Sequence, residues 1–542
     1  MTAGNSTWWR GAVIYQIYPR SFMDANGDGI GDLRGITAKL DHVADLGADA
    51  IWISPFFTSP MRDFGYDVSD YRNVDPIFGT LDDFRALLAR AHALGLKVLI
   101  DQVLSHTSDQ HPWFIDSRRG SAEDKSDWYV WADAGEGGGP PNNWLSVFGG
   151  SAWSWSDTRK QYYLHNFLDS QPDLNFHNPD VRRAQLENVK FWLDMGVDGF
   201  RFDVVNFYFH DQRLRDNPPV SGTEPLNPGA SSANPYFEQQ HIYDVDQPEN
   251  LDFLRELRRL LDRYPATTSV GEISSDRSPE RMAEYTGGGD KLHMAYTFDL
   301  LNAESDVAYI RRVIADLESK IDDGWPCWAL SNHDVERAAS RWGKRRDPRL
   351  FPRLALAMLL SLRGSVSIYQ GEELGLPQSE VAREHLQDPF GIEFWPEYPG
   401  RDGCRTPLVW NDGANGGFSS AKTWLPVDEA HLPLAVARQE AADDSTLNAV
   451  RRFIHWRKHQ PALLAGSLEL VASESNILCW IRRSTSQSML VALNLSGRPV
   501  REKLRYPDAK AVYGHGFSGR IDDDYIILEP YDALYATLDA TG

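Results

Sequence analysis

Eight short β-prone runs recur along the first two thirds of the 542-residue chain. They are "AVIYQIYP" (12–19), "AIWISP" (50–55), "KVLIDQV" (97–103), "DGFRFDV" (198–204), "TSVGEI" (268–273), "LHMAYTF" (292–298), "CWALSNH" (327–333) and "SVSIYQG" (365–371). Amphipathic helical segments lie between several of them, such as 81–95 and 181–196, and each of these two ends at a glycine. Strands that alternate with helices are typical of parallel βαβ units. Eight such units predict an α/β fold, the closed (β/α)₈ TIM barrel.

Two connections of the predicted barrel are too long to be simple loops. Residues 107–176 follow the third strand and contain "GEGGGPPNNWLSVFGG", so we interpret them as an inserted domain. Residues 206–247 follow the fourth strand. Long loops in a compact domain are usually functional. Both leave the carboxyl ends of strands, where the active sites of such barrels lie.

The pattern changes after the helical segment 445–460. Runs such as "ILCWIRRS" and "SMLVALNLS" alternate with period two, which predicts an antiparallel β domain at the C-terminus. We therefore divide the chain into four parts. These are the first part of barrel domain A (1–106), inserted domain B (107–176), the second part of domain A (177–464) and a C-terminal β domain (465–542).

Composition excludes several classes of partner. The formal net charge is −22, whereas a nucleic-acid partner requires a basic face. The three cysteines, Cys327, Cys404 and Cys479, are too far apart to indicate a disulfide framework or a zinc site. The N-terminal residues show neither a secretory signal nor a membrane-spanning run. We expect a cytoplasmic protein with no nucleic-acid or membrane partner, whose oligomeric state is open.

Charged residues interrupt the apolar strands near their carboxyl ends. Arg201 and Asp203, in "GFRFDVVNF" (199–207), point to the same side of a strand, and burying both is unfavourable unless each has partners. Other strand ends carry Asp101, His106, Glu272, His333 and Asp334. The strand ends of a parallel barrel meet at one rim, so we expect acids from different strands to converge on one pocket.

Carboxylates that crowd together repel each other, which separates their pKa values and suits a nucleophile or base beside an acid. Glycoside hydrolysis requires such a pair on either side of the scissile bond. The aromatic residues of the long loops suit stacking on sugar faces, although most aromatic residues pack in the core. These residues indicate a carbohydrate-cleaving enzyme that needs no organic cofactor.

Five motifs then resemble the signatures of the α-amylase superfamily, glycoside hydrolase family 13. They are "DQVLSH" (101–106), "QPDLN" (171–175), "GFRFDVVNF" (199–207), "GEI" (271–273) and "SNHD" (331–334). Any one of them is a weak signal, but together they are specific, and the resemblance covers essentially the whole chain. It implies a (β/α)₈ barrel with a B domain after the third strand and an antiparallel C domain. The strand count predicts the same fold independently.

The resemblance also implies roles for individual residues. Asp203 would be the nucleophile, Glu272 the general acid/base and Asp334 the transition-state stabiliser. Arg201 would hold Asp203 ionised through a charge-assisted pair. The residues implied to bind the terminal glucose are Asp63, Tyr66, His106, His333 and Arg401. Ser105 departs from the pattern, because many members have Asn there; in some relatives that Asn helps to hold a calcium ion.

A second motif predicts a metal site. "DANGDGIGD" (24–32) places oxygen donors at the spacing of an EF-hand loop, and Gly35 stands where a complete EF-hand has Glu. The predicted ligands are Asp24, Asn26, Asp28, the backbone carbonyl of Ile30, and Asp32. The oligo-1,6-glucosidase-like branch of the family carries a structural calcium or magnesium in a similar loop, so we expect a structural Ca²⁺ or Mg²⁺ here.

The function expected from this resemblance is a retaining, exo-acting α-glucosidase on short α-1,4-glucosides, with transglucosylation as a second outcome. An oligo-1,6-glucosidase is the alternative, because Val204 after the nucleophile tends to accompany α-1,6 activity. The fourth loop, "NFYFHDQRLRDNPP", instead resembles enzymes that favour α-1,4 bonds. A non-catalytic relative acting as a binding protein is the distant alternative. Such relatives lack the full set of acids, and this chain has all three.

Overall fold

The computed structural model describes residues 7–120, 125–220 and 234–539. Its centre is one parallel eight-stranded sheet, which matches the eight predicted runs one to one. We number the strands β1 to β8: Val13–Ile17, Ala50–Ile53, Lys97–Gln102, Gly199–Phe202, Thr268–Ile273, Met294–Thr297, Cys327–Ala329 and Ser365–Tyr369.

The sheet closes into a barrel. Its hydrogen-bonded order is β6-β5-β4-β3-β2-β1-β8-β7, and a parallel bridge from Ala295 to Pro326 joins the two ends. Strand β1 aligns Ile14 with Ala50 on one neighbour and with Ser367 on the other. The predicted (β/α)₈ barrel is therefore confirmed.

A helix follows each strand and covers the outside of the barrel. Helices α1 to α8 are Leu33–Leu46, Leu81–Ala93, Pro179–Met195, Asn250–Leu261, Ser278–Thr286, Val307–Glu318, Leu350–Ser361 and Thr446–Arg457. Thr80 and Asp83 form a capping box at the start of α2. The predicted glycine stops are present, since Gly95 and Gly196 follow α2 and α3 with φ of +79° and +104°, a conformation that disfavours other residues.

Alternation along the strands produces two apolar cores. Val13, Tyr15 and Ile17 of β1 face outward into the large core between sheet and helices, whereas Ile14 faces inward. Inside the barrel Ile14 packs with residues of the other strands, among them Ala50, Trp52, Leu99, Val270 and Met294. The interior is thus filled by side chains up to the rim where the strands end.

The long connections carry short elements of their own. Residues 107–176 contain the helix Pro112–Arg119 and a three-stranded antiparallel sheet of Trp131–Ala132, Gln161–Leu164 and Trp153–Ser156. A strand pair that the sequence pattern did not predict, Phe57–Thr58 with Asp70–Val74, lies between β2 and α2. In the connection 206–247 the structure describes 206–220 and 234–247, where the 3₁₀ turn Pro235–Glu238 is found.

Short helices, Ala338–Arg341, Pro389–Glu393 and Val436–Glu440, lie in the connections around β8, and Pro461–Ala465 follows α8. The remaining strands form two antiparallel sheets. One has the order Ser467–Leu470, Leu478–Arg483, Ser488–Asn494, Asp532–Leu538 and Lys510–Ala511; the other has the order Val500–Lys503, Tyr525–Leu528 and Arg520–Asp522. The predicted boundary at 465 falls on the last residue of the helix Pro461–Ala465, and the division into domains stays a prediction. No helix among the described residues is long and apolar enough to cross a membrane.

Candidate active site

A pocket opens at the carboxyl ends of the barrel strands. The structure brings seven of the nine predicted catalytic and glucose-binding residues to its wall: Asp63, Tyr66, His106, Asp203, Glu272, Asp334 and Arg401. The other two, Arg201 and His333, are fully buried directly behind it. Because the strands of a parallel barrel end at one rim, residues more than 270 positions apart in sequence meet here.

Arg201 is the centre of the acid cluster. Its Nη1 donates to Asp203 Oδ1 at 2.6 Å and to Asp101 Oδ1 at 2.8 Å, while Nη2 donates to Glu272 Oε2 at 2.5 Å. Nη2 also donates to the Tyr296 hydroxyl at 2.9 Å. The two charges inside the β4 motif are therefore paired, and one guanidinium serves three acids from three neighbouring strands. Such a network satisfies the charges that burial would otherwise destabilise.

The acids of this cluster have unusual pKa values. Burial raises the pKa of Asp203 to about 7, against the attraction of Arg201, and Asp101 adds to the rise. Burial likewise raises the pKa of Glu272 to about 8, again opposed by Arg201 and reinforced by the neighbouring acids. Both pKa values are therefore raised toward neutral pH. Because the two acids share one guanidinium, their protons titrate as a coupled pair.

Asp334, which follows β7, is a different kind of acid. Its Oδ1 accepts from Arg405 at 2.9 Å and from Arg401 at 3.2 Å, and its Oδ2 lies 3.1 Å from His333 Nε2. These cationic and polar neighbours outweigh burial and hold the pKa of Asp334 well below its usual range. Asp334 therefore favours the ionised form, unlike Asp203 and Glu272.

The two predicted histidines are neutral and fixed. His333 stacks on Tyr66 with ring centroids 5.3 Å apart, and its Nε2 lies 2.5 Å from the Tyr66 hydroxyl. Burial lowers the pKa of His333 to about 3 and that of His106 to about 4. Ser105 Oγ lies 2.8 Å from His106 Nδ1. Ser105, which departs from the family's Asn, therefore orients a pocket histidine here.

One wall of the pocket is a polar chain. Asp63 Oδ1 accepts from Arg401 at 2.7 Å, and its Oδ2 accepts from Gln171 at 3.2 Å. Gln171 Nε2 also lies 3.3 Å from His106 Nε2. Burial raises the pKa of Asp63, and Arg401 opposes that rise. An acid, an arginine, an amide and an imidazole are thus placed together, a set that matches the hydroxyl groups of a sugar.

The rest of the pocket wall is largely aromatic. No sequence motif identified these residues individually as part of the site. They are Phe148, Phe167, Phe207, Tyr236, Phe237, Phe298, Phe390 and Tyr398. The ring centroid of Phe148 lies 5.8 Å from that of Phe167 and 5.2 Å from that of Phe390, so residues of distant loops form one surface. Only the general abundance of aromatic residues in the loops signalled this wall.

Sequence reasoning also missed three polar residues of the site. Gln171 was visible as the first residue of "QPDLN", and Arg405 lies four positions after Arg401 in "GRDGCRTP". Both residues could have been found, because each lies in or beside a motif that the sequence analysis had already identified. Asp388, which binds Arg401, belongs to no motif, and nothing in the sequence alone distinguished it from other acids.

The predicted metal loop, residues 24–32, forms a tight turn whose side chains bind its own backbone. Asp24 Oδ2 accepts from the Gly29 amide at 2.8 Å, Asp32 Oδ2 accepts from the Asn26 amide at 3.1 Å, and Asn26 Oδ1 accepts from the Asp28 amide at 2.9 Å. Across the described ranges no three His, Cys, Asp or Glu side chains are grouped closely enough to hold an ion. A carboxylate oxygen that accepts one amide has a further lone pair, so the donors suit a hard cation and the site stays a prediction.

The fold and the pocket define a class of protein: a (β/α)₈ barrel with two acids from neighbouring strands in one pocket, as glycoside hydrolases have. Residues 16–466 match the family described as "Alpha amylase, catalytic domain". This span is more than half of the chain, so the chain belongs to the α-amylase family. The prediction of a glycoside hydrolase of the α-glucosidase type is confirmed.

Three similar proteins agree with this assignment. A protein of Rhizobium meliloti (strain 1021) named "Probable alpha-glucosidase" is 54% identical, over 98% of this chain and 97% of that protein. An "Oligo-1,6-glucosidase" of Parageobacillus thermoglucosidasius is 36% identical, over 92% of each. The crystal structure of the alpha-glucosyl transfer enzyme XgtA superposes with a TM-score of 0.96 at 54% identity, over 98% of this chain and 99% of that one.

Proposed function

We propose that this protein is a retaining, exo-acting α-glucosidase, with Asp203 as the nucleophile and Glu272 as the general acid/base. The observation that carries the proposal is the pair of acids on Arg201: Asp203 at the end of β4 and Glu272 on β5 bind the same guanidinium, and burial raises the pKa of each toward neutral pH. The mechanism needs one acid as a carboxylate nucleophile and the other as a proton donor, and the resemblance of the two motifs assigns these roles to Asp203 and Glu272.

The proposed reaction has two displacements. Asp203 Oδ attacks the anomeric carbon while Glu272 gives its proton to the glycosidic oxygen, so the aglycone leaves as an alcohol and glucose becomes an ester of Asp203. Glu272, now a carboxylate, then takes the proton of an incoming hydroxyl, which adds to the anomeric carbon and releases Asp203. Water as the second nucleophile gives hydrolysis, and a sugar hydroxyl gives transglucosylation. The similarity to a transfer enzyme supports the second route.

Asp334 and the polar wall are proposed to hold the terminal glucose. Asp334 stays ionised beside Arg401 and Arg405, so it can accept hydrogen bonds from sugar hydroxyls as positive charge develops on the ring. The ion pair between Asp63 and Arg401 occupies the polar wall of the pocket. We propose that this pair blocks further sugar units beyond the non-reducing end, which makes the enzyme exo-acting.

For linkage we propose α-1,4-glucosides such as maltose as good substrates, with an oligo-1,6-glucosidase as the alternative. Val204 lines the pocket directly after Asp203 and supports the alternative, as does the similarity to an oligo-1,6-glucosidase. A single side chain shifts discrimination by about 1–3 kcal/mol, so it adjusts the preference without determining it. We give more weight to the fourth loop, "NFYFHDQRLRDNPP", which resembles the loops of enzymes that favour α-1,4 bonds.

The deciding experiment follows the first product by proton NMR during early turnover of maltose. Retention gives α-glucose first, whereas initial β-glucose contradicts the double displacement. Asp203→Asn should abolish turnover and leave the melting temperature close to that of the wild type. Parallel kcat/KM values for maltose and isomaltose test the linkage, and a higher value for isomaltose would establish the oligo-1,6-glucosidase.

A structural Ca²⁺ or Mg²⁺ in loop 24–32 and a cytoplasmic location are further proposals. The metal proposal rests on the donor set of the loop, which joins β1 to α1 and contributes no residue to the pocket wall. The absence of a nucleic-acid partner rests on the net charge of −22, and the cytoplasmic location rests on three widely spaced cysteines that indicate no disulfide framework.

A further inference from the structure

Asp388 is a fully buried acid that lies behind the pocket wall and does not line the pocket. Both of its oxygens bind Arg401. Oδ2 accepts from the Arg401 backbone amide at 2.7 Å, and Oδ1 accepts from Arg401 Nη2 at 2.7 Å and from Nε at 3.1 Å. Asp388 therefore fixes both the backbone and the guanidinium of one residue.

Arg401 passes this constraint to two pocket acids. The same Nη2 that binds Asp388 donates to Asp63 Oδ1 at 2.7 Å, and Nη1 donates to Asp334 Oδ1 at 3.2 Å. The guanidinium also lies 5.1 Å from the ring centre of Phe148. A planar guanidinium held along one edge can present its other donors in only one orientation, so Asp388 fixes the direction from which Arg401 reaches Asp63 and Asp334.

Asp388 has a second contact, with the aromatic wall. It is the N-cap of the helix Pro389–Glu393, and its Oδ1 accepts from the Phe390 amide at 3.3 Å. Phe390 and Tyr398 of the same loop line the pocket. At the base of the loop, Asp402 Oδ2 accepts from the amides of Gln387 and Asp388. The loop is thus closed by two acids, of which Asp388 contacts Arg401.

We propose that Asp388 is a positioning residue for glucose binding: it holds Arg401 in the orientation that keeps Asp63 and Asp334 ready for the sugar hydroxyls. This proposal rests on the proposed function, because it assumes that the polar wall receives the terminal glucose. Because Asp388 does not line the pocket, it would act through Arg401. Its contribution is preorganisation, since a free arginine side chain would have to be ordered each time a substrate binds.

The test separates the contact with Arg401 from the cap and from loop closure. Asp388→Ser keeps a hydroxyl that can cap Phe390 but is too short to hold the guanidinium. Asp388→Asn keeps the size and removes the charge. Asp402→Asn is the matched control, because Asp402 is an equally buried acid at the same loop base whose side chain makes no contact with the guanidinium of Arg401.

Two measurements are made on each full-length variant. The first is the dissociation constant of maltose by calorimetry in the inactive Asp203→Asn background, which needs no turnover. The second is the division of the effect between KM and kcat for 4-nitrophenyl α-glucoside. For both Asp388 variants we expect the dissociation constant and KM to rise on the order of 10- to 100-fold, with a smaller change in kcat. Asp402→Asn should stay near the wild type in both.

Wild-type binding in Asp388→Ser and Asp388→Asn overturns the proposal, and so does an equal loss in Asp402→Asn, which would assign the effect to loop closure. If neither Asp388 variant folds, Arg401→Lys carries the test. Lysine keeps the positive charge but lacks the planar guanidinium that binds several acids at once. An unchanged KM in this variant overturns the proposal. A wild-type protein that binds maltose without hydrolysing it contradicts the proposed function instead, and the calorimetric comparison remains valid.

Discussion

Arg201 lowers the pKa of both proposed catalytic acids, Asp203 and Glu272, so its removal should move the whole pH profile of the enzyme upward. The wild-type profile of kcat/KM is expected to be bell-shaped, because Asp203 must be ionised and Glu272 protonated. In the proposed mechanism its acid limb follows the pKa of Asp203, which burial raises to about 7, and its alkaline limb follows the pKa of Glu272, which burial raises to about 8. The variant Arg201→Met replaces the cation with an apolar chain of similar length.

The size of the effect follows from the contacts. An opposite charge in contact lowers a carboxyl pKa by about 1 to 3, so losing Arg201 should raise the pKa of Asp203 to between about 8 and 10. At pH 7 the ionised fraction of Asp203 then falls from roughly one half to between about 9% and 0.1%, a loss of about 5- to 500-fold from ionisation alone. The acids also lose the partner that orients them, which should increase the loss of activity further. Because Arg201 also opposes the rise at Glu272, the alkaline limb should move up as well.

The assay is kcat/KM for 4-nitrophenyl α-glucoside from about pH 5 to 9.5, with the melting temperature measured at each pH. Arg201→Lys is the control, because it keeps one charge but cannot contact three acids. The limbs of its pH profile should therefore fall between those of the wild type and those of Arg201→Met. A uniform loss with unmoved limbs would refute the electrostatic reasoning. Arg201 would then act only by placing the side chains.

Three further outcomes are expected. Ser105→Ala removes the partner of His106 Nδ1 and should raise KM about 2- to 12-fold, the value of one hydrogen bond, while a KM equal to the wild type contradicts the orienting role. A chelator should lower the melting temperature if loop 24–32 holds Ca²⁺, and added Ca²⁺ should restore it. An unchanged melting curve counts against the metal. Val204→Thr should lower any isomaltose activity more than maltose activity, measured as kcat/KM; the reverse order contradicts the role of Val204 in linkage.

The barrel could be predicted from the sequence because its signal is local. Each strand is a short β-prone run, and each helix has its own apolar stripe and, as at Gly95 and Gly196, its own stop. Site residues on strand ends, such as Asp203 and Glu272, could be predicted for a related reason. Once the strands are identified, the topology places their carboxyl ends at one rim.

Contacts between elements could not be predicted in this way. The sequence indicated a pair between Arg201 and Asp203, but not that the same guanidinium also binds Asp101 and Glu272. That depends on the register of β3 and β5 beside β4, in which Asp101 aligns with Arg201. Asp388 was missed for the same reason, because its importance comes from Arg401, 13 residues later and across a closed loop.

Val204, which follows Asp203 and lines the pocket, has a strained backbone conformation. Val204 has φ of +35°, a left-handed conformation that is unfavourable for a β-branched residue and costs on the order of 1–3 kcal/mol. This turn brings the Val204 amide to 3.2 Å from Glu272 Oε2 while the preceding side chain, Asp203, stays on Arg201. The strained turn therefore lets the Asp203 carboxyl bind Arg201 while the next residue donates its backbone amide to Glu272. Threonine has the same branching at Cβ, so Val204→Thr leaves this backbone strain unchanged, and any change in linkage preference can be assigned to the hydroxyl at the pocket wall.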